Sequence, residues 1–184
     1  MRYRLDKNNC LISVGPGWVE FALENAGVDL MPEQILGRSL WDFIAGAQTR
    51  HIYKVLFEKV RSDQRVVTVD FRCDSPILRR FMKLTISPQM VSQLELESRI
   101  IREETRVFSV RFLEQANSRV TTLLPMCSWC KRVKLDKGVW VEAEVAWAKM
   151  RLFYGDDLPK LTHGICEECK ERILNQLEKE SSNE

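Results

Sequence analysis

Histidine is scarce in this chain: two stand among 184 residues, His51 and His163. The side chain best suited to acid–base work near neutral pH is therefore nearly missing. No Gly-rich phosphate loop, kinase or cyclase motif, or pair of carboxylates on a recognisable scaffold makes up the shortage. The sequence does not read as an enzyme. No apolar run approaches the roughly 18–20 residues that span a bilayer, and the start, MRYRLDKNN, lacks the apolar stretch of a secretory signal. The expected setting is the cytoplasm, with no membrane partner, where thiols stay reduced. There is no run of five or six basic residues, and 28 Lys and Arg nearly balance 26 Asp and Glu for a net charge of +2. The charge footprint of a nucleic-acid binder is missing too.

What is present is ordinary globular material, 45% hydrophobic and 29% charged, enough for a domain of about 100 residues plus a smaller module. Tyr3 and Leu5 alternate with charged residues, DKNN (6–9) signals a turn, and Cys10, Ile12 and Val14 resume the alternation, which predicts a hairpin. Trp18, Phe21 and Ala22 share one helical face. LMPEQILGRSLWDFI (30–44) is interrupted by Pro32 and Gly37 and predicts short helical turns. Ile52, Val55, Leu56 and Val60 mark a longer amphipathic helix. Three strands follow, on Val67 to Cys73, on Met82 to Ile86 and on Leu94 to Ile100. Arg72, Asp74, Arg79 and Arg80 surround the hairpin between the first two, as a solvated turn with a salt bridge. This order predicts an α+β fold: a five-stranded antiparallel sheet with helices on one face. The organisation is 1–102 as the sheet domain, 103–125 as a connector and 126–180 as a cysteine-rich module. Val107, Phe108, Val110, Phe112 and Leu113 make the connector too apolar for a solvated linker, so it should dock on the sheet or on a second subunit.

MCSWCKR (126–132) and THGICEECK (162–170) carry the densest chemistry in the chain. Two thiolates spaced C-x2-C can close on one ion, and two such pairs give the four-sulfur tetrahedron that suits zinc. Cys127, Cys130, Cys166 and Cys169 are the expected ligands. The 35 residues between Cys130 and Cys166 exceed the ~15–20 of simple ribbons, but a helix predicted over 142–153 accounts for the excess. A second helix, 167–180, would place Cys166 and Cys169 on one face, at the dipole end that favours thiolates. His163 is a substitute ligand or, as favoured here, shapes the turn before that helix. A dithiol switch is the main rival reading. Against it, CSWC runs into a hairpin, and CEEC opens a helix without a parallel strand before it. Lys131 and Lys170 stand where covalent haem attachment would need histidine. Cys10 and Cys73 are expected as buried free thiols on strands.

YRLDKNNCLISVGPGWVEFALENAG, ILGRSLWDFIAG and VDFRCDSPILRRFMKLTISP, followed by CSWCKR and THGICxxC, resemble a bacterial group of PAS-type sensor proteins. The resemblance to the PAS-like domain covers residues 3–102. It implies a ligand held between the sheet and the longer helix, with Trp18, Trp41, Phe43, Phe57 and Phe71 as lining and His51 on the helix that carries haem ligands in some members. It also implies signalling through a small molecule or a protein partner, association as a homodimer, and a zinc-stapled tail for protein contact. The tail as a thiol redox switch or a nucleic-acid binder is the alternative.

Overall fold

The computed structural model describes residues 1–24, 27–114, 123–135, 138–154 and 158–181. Strands β1 (Arg2–Leu5), β2 (Leu11–Val14), β3 (Val67–Arg72), β4 (Leu78–Pro88) and β5 (Leu94–Thr105) form one antiparallel sheet in the order β2-β1-β5-β4-β3. The register fixes its two faces. Leu5 lies opposite Leu94, Leu96 opposite Ile86, and Leu84 opposite Val69, so one face is a continuous apolar layer. Arg2 and Arg4 lie opposite Glu97 and Glu95 and pair with them at 3.1 and 2.8 Å on the other face. Period-2 alternation produced both results.

Between β2 and β3 run α1 (Trp18–Glu24), α2 (Pro32–Ile35) and α3 (Ala47–Asp63), with short 3-10 turns at 28–30 and 40–42. The predicted stripe of α3 is its buried side: Ile52, Leu56, Phe57 and Val60 pack on the apolar layer of the sheet. β5 continues to Thr105, past the predicted end of its strand. A register shift at Phe81/Met82 leaves Ile100 and Ile101 exposed, as a bulge does. Cys10 and Cys73 are half-buried free thiols, Cys10 in an isolated bridge to Ser39 and Cys73 one residue beyond β3. No described helix is long and apolar enough to cross a membrane.

The cysteine-rich segment forms a second, four-stranded sheet in the order β8-β7-β6-β9. Its elements are β6 (Leu123–Cys127), β7 (Val133–Lys134), β8 (Trp140–Val141), α4 (Ala143–Tyr154), β9 (Lys160–Gly164) and α5 (Glu167–Ser181). Both predicted helices are present. Two expectations are corrected by β9. CEEC does follow a strand, and that strand is parallel to β6. His163 is a residue of that strand rather than of a turn. KLTHG is a short, mostly polar sequence with no apolar alternation, so nothing local marked it as a strand.

The tail shares its core with the sheet. Cys127, Trp129, Ile165, Cys166, Cys169, Ile173 and Leu177 belong to the same buried cluster as Leu56, Phe57 and Val69. Helix α5 lies along β3, the edge strand. Gln176 donates to Thr68 O at 2.5 Å, Arg172 to Asp70 O at 3.3 Å, and Arg72 N–H to Trp129 O at 2.7 Å. One outward backbone group on each of Thr68, Asp70 and Arg72 is thereby satisfied along the open sheet edge.

The connector docks on both sheets: its first residues, 103–105, complete β5, and Val110 N–H donates to Pro76 O of the β3–β4 hairpin at 2.9 Å. Val110 and Phe112 are fully buried with Leu124, Met126, Val133 and Trp147 in the core of the small sheet and α4. Phe112 meets Trp147 edge-on at 6.0 Å between centroids. Val107 is 98% exposed and Phe108 43%. Residues 115–122 of the expected connector lie outside the described ones. Phe112→Ala should therefore destabilise the chain by about 3–5 kcal/mol, and Phe108→Ser by no more than about 0.5. Denaturant titration of the two variants checks the contrast; equal costs would contradict the packing.

The hairpin between β3 and β4 is not a solvated turn. Arg72 pairs with Asp74, and with Glu142 at 2.7 Å. Arg106 pairs with Asp74 at 2.5 Å, and with Glu144. Arg79 reaches Glu144 at 2.7 Å. The Asp74 and Arg106 side chains are wholly buried, while Arg79 and Arg80 stay partly exposed, Arg80 paired with Glu103 at 3.0 Å. Burial drives the Glu142 carboxyl up, but Arg72 and Arg132 outweigh it and hold the group below its ordinary value. The cluster joins the β3–β4 hairpin, the start of the connector and the first turn of α4, whose dipole also favours the two glutamates.

Candidate metal centre and cavities

The four predicted ligands converge. The sulfurs of Cys127, Cys130, Cys166 and Cys169 all lie within 4.8 Å of one another. Four sulfurs each ~2.3 Å from one ion sit about 3.8 Å apart in a tetrahedron, and the Cys130–Cys166 separation is 3.7 Å. The site can hold a metal ion. Its local construction follows from backbone pairing. Lys131 N–H returns to Cys127 O at 3.0 Å, closing the knuckle, and Lys131 takes a positive φ of 60° where the chain leaves it. Cys127 N–H donates to Arg132 O at 2.8 Å and Ser128 N–H to Gly164 O at 2.8 Å, which sets the knuckle on β9. Cys166 precedes α5 and accepts from Lys170 N–H at 3.0 Å. Cys166 N–H points at the Cys127 sulfur at 3.4 Å, and Arg172 at the Cys169 sulfur at 3.9 Å. As a set of thiols, hydrogen bonds from Cys130 and Cys169 hold Cys127 far below the ordinary thiol range, while Cys130 is pushed up by its bond to Cys127. Crowded donors of this kind favour an ion that takes their protons' place. His163 is exposed and outside the cluster. Partial burial and the Lys131 ammonium keep its imidazole pKa below the usual value.

The knuckle is seated against the helical side of the sheet. Trp129, between the two cysteines of CSWC, packs at a tilt on Tyr53 of α3, 5.1 Å between centroids. The Thr49 and Ser128 hydroxyls are 3.0 Å apart. Trp129 is 2% exposed, and its indole N–H is buried without a hydrogen-bond partner among the described residues. An unanswered buried donor of this kind costs about 1–3 kcal/mol. Gly46 precedes α3 with φ +85°, and a Cβ there would stand 2.3 Å from His163 O. Both the conformation and the close approach demand glycine. Gly46→Ala should cost about 2–3 kcal/mol and raise amide exchange in β9. Unchanged protection of β9 would show that the contact does not hold the halves together.

The residues expected to line a ligand cavity divide. Trp18 and Phe43 line an apolar cavity of about 270 Å³ with Tyr3, Leu11, Leu40 and Tyr53. Trp18 is fixed by donating to Leu30 O at 2.7 Å and by an edge-on contact with Tyr3 at 5.9 Å. Burial pushes the Tyr3 hydroxyl up, and raises that of Tyr53 to about 12. Phe57 is buried core, with Trp41 tilted on it at 5.8 Å. Phe71 lines a different cavity, at the joint with the tail. His51 is exposed on α3 and lines neither. Tyr53, Trp129 and Gly46 were not singled out from sequence. Tyr53 lies one position from the predicted α3 stripe, and a glycine just before a helix was the one available sign of a close approach.

Neither a protein-family model nor a curated protein matches this chain.

Proposed function

We propose that this chain is a PAS-like signalling protein that responds to a small molecule, with a structural zinc ion held by Cys127, Cys130, Cys166 and Cys169. The observation that carries the reading is the apolar cavity bounded by Trp18, Phe43 and Tyr53, whose wall residue Tyr53 also packs against Trp129 of the cysteine knuckle. The order of strands and helices supports the PAS-like assignment, since α1, α2 and α3 are all inserted between β2 and β3. The four-sulfur donor set supports zinc over harder cations. A bound ion supplies a cross-link between β6 and the start of α5; the chain's own residues do the recognition. Output passes through contact with a signalling partner or a second copy of the chain, not through catalysis. Elemental analysis and native mass spectrometry should find about one zinc per chain, together with any retained small molecule. Absence of metal under reducing conditions, with all four thiols titratable, would overturn the zinc assignment.

A thiol switch is the second reading, and β9 supports it by giving CEEC the strand–helix setting of redox-active pairs. Peroxide treatment followed by metal analysis separates the two. A switch loses metal and forms disulfides reversibly, whereas a static site keeps its ion because three of the four sulfurs are buried.

A further inference from the structure

Two tyrosines, Tyr3 and Tyr53, line the apolar cavity of the first half, and neither hydroxyl has a hydrogen-bond partner among the described residues. We propose that this cavity takes a small neutral molecule, apolar except for one carbonyl-type acceptor to which both hydroxyls donate. The proposal rests on the small-molecule-sensing reading and names the class of molecule sensed.

The two hydroxyls come from opposed walls, Tyr3 on β1 and Tyr53 on α3. Neither oxygen is sealed off as the Trp129 indole nitrogen is. Burial first, and the neighbouring Tyr53 second, raise the Tyr3 pKa, so the two phenols lie close enough to feel each other's charge. Burial raises Tyr53 to about 12, so both stay neutral O–H groups that can donate. The Trp18 indole N–H on the same lining is already given to Leu30 O at 2.7 Å. A carbonyl oxygen has two lone pairs and answers both hydroxyls at once. Size follows from the volume. The cavity measures about 270 Å³, and since one of ~150 Å³ admits benzene, about ten heavy atoms fit. Charge follows from the walls. No lining side chain is charged, and the ammonium of the lining residue Met1 is bound to Ser98 O at 2.7 Å. An ionic guest would shed its water without gaining a counter-charge. Tyr53 also packs on Trp129, so an occupant held by its hydroxyl touches a ring that abuts the tail.

The test uses the full-length protein and three probes of one skeleton: 1-indanone, indane, which lacks the acceptor, and indane-1-carboxylate, which adds a charge. The ¹⁵N–¹H resonance of the Trp18 indole, assigned with Trp18→Phe, reports from the cavity wall. 1-Indanone should shift it saturably, with indane and the carboxylate each bound about tenfold more weakly. In the double variant Tyr3→Phe with Tyr53→Phe, the preference for 1-indanone over indane should vanish while indane affinity is kept. Each single variant should lose part of that preference. The substitutions remove hydroxyls that have no partner, so the thermal midpoint of the unliganded protein should hold or rise. A lower midpoint, or a variant that fails to fold, would show the hydroxyls bonded within the fold and overturn the proposal. Tighter binding of the carboxylate than of 1-indanone also overturns it. Equal binding of 1-indanone and indane overturns it too, yet leaves the sensing reading intact, because the cavity is still filled. No saturable Trp18 shift with any probe at millimolar concentration overturns it as well; a small molecule retained in native mass spectrometry would then uphold the sensing reading alone.

Discussion

Stripping the metal with a chelator, or replacing Cys127 or Cys166 with serine, should loosen the five-stranded sheet along with the tail. The sequence alone suggests a separable module that melts while residues 1–102 stay folded. The packing argues otherwise. Trp129, Ile165, Ile173 and Leu177 are positioned by the knuckle and by α5, yet they sit in one buried cluster with Leu56, Phe57 and Val69. Structural zinc contributes roughly 10–16 kcal/mol in small zinc-folded peptides, against a total stability of about 5–15 kcal/mol for typical domains. Losing even part of it exceeds what the remaining contacts can hold. Amide exchange should show β3 and α3 losing protection together with β9 and α5. Retained protection across β3 after chelation would mean that the halves fold separately.

Arg106→Met should rank next, at about 3–5 kcal/mol. It leaves Asp74 buried with only Arg72 for compensation. Asp74→Leu should cost a similar amount. The double variant Asp74→Leu with Arg106→Met should recover much of the loss, because a buried pair replaced by apolar groups is often near neutral. Thermal unfolding of the four proteins forms the cycle; simple additivity would show that the two groups do not act as a pair. The same cluster sets an acid limit. Glu142 has a depressed carboxyl pKa in the folded chain, so its contribution is complete above the unfolded value of about 4.3. That contribution is lost as pH falls through the lower folded value.

The elements of the first half were legible in the sequence because each depends on near neighbours. The α3 stripe at Ile52, Leu56 and Val60 and the alternation through Val67 and Val69 carry their own period, and in the tail so do the C-x2-C knuckles. The joint between the halves depends on groups far apart in the chain. Nothing near Asp74 announces Arg106, 32 residues on, and nothing near Gly46 announces the His163 carbonyl. The connector shows the same limit at short range. Val110 and Phe112 are buried and Val107 is bare, but an irregular segment has no period to tell them apart. Arg72 was misjudged for a related reason: an arginine in a turn-rich hairpin suggests solvent until a second element covers it.

The covering of β3 by Trp129, Arg172 and Gln176 bears on how the chain behaves when shortened. In a fragment ending before the cysteine-rich segment, whatever sheet persists would expose the backbone groups of Thr68, Asp70 and Arg72 on a bare edge. Exposed edges recruit further strands from other molecules. The isolated sheet is therefore expected to assemble edge to edge and precipitate, and the tail acts as a guard against self-association as well as a seat for metal.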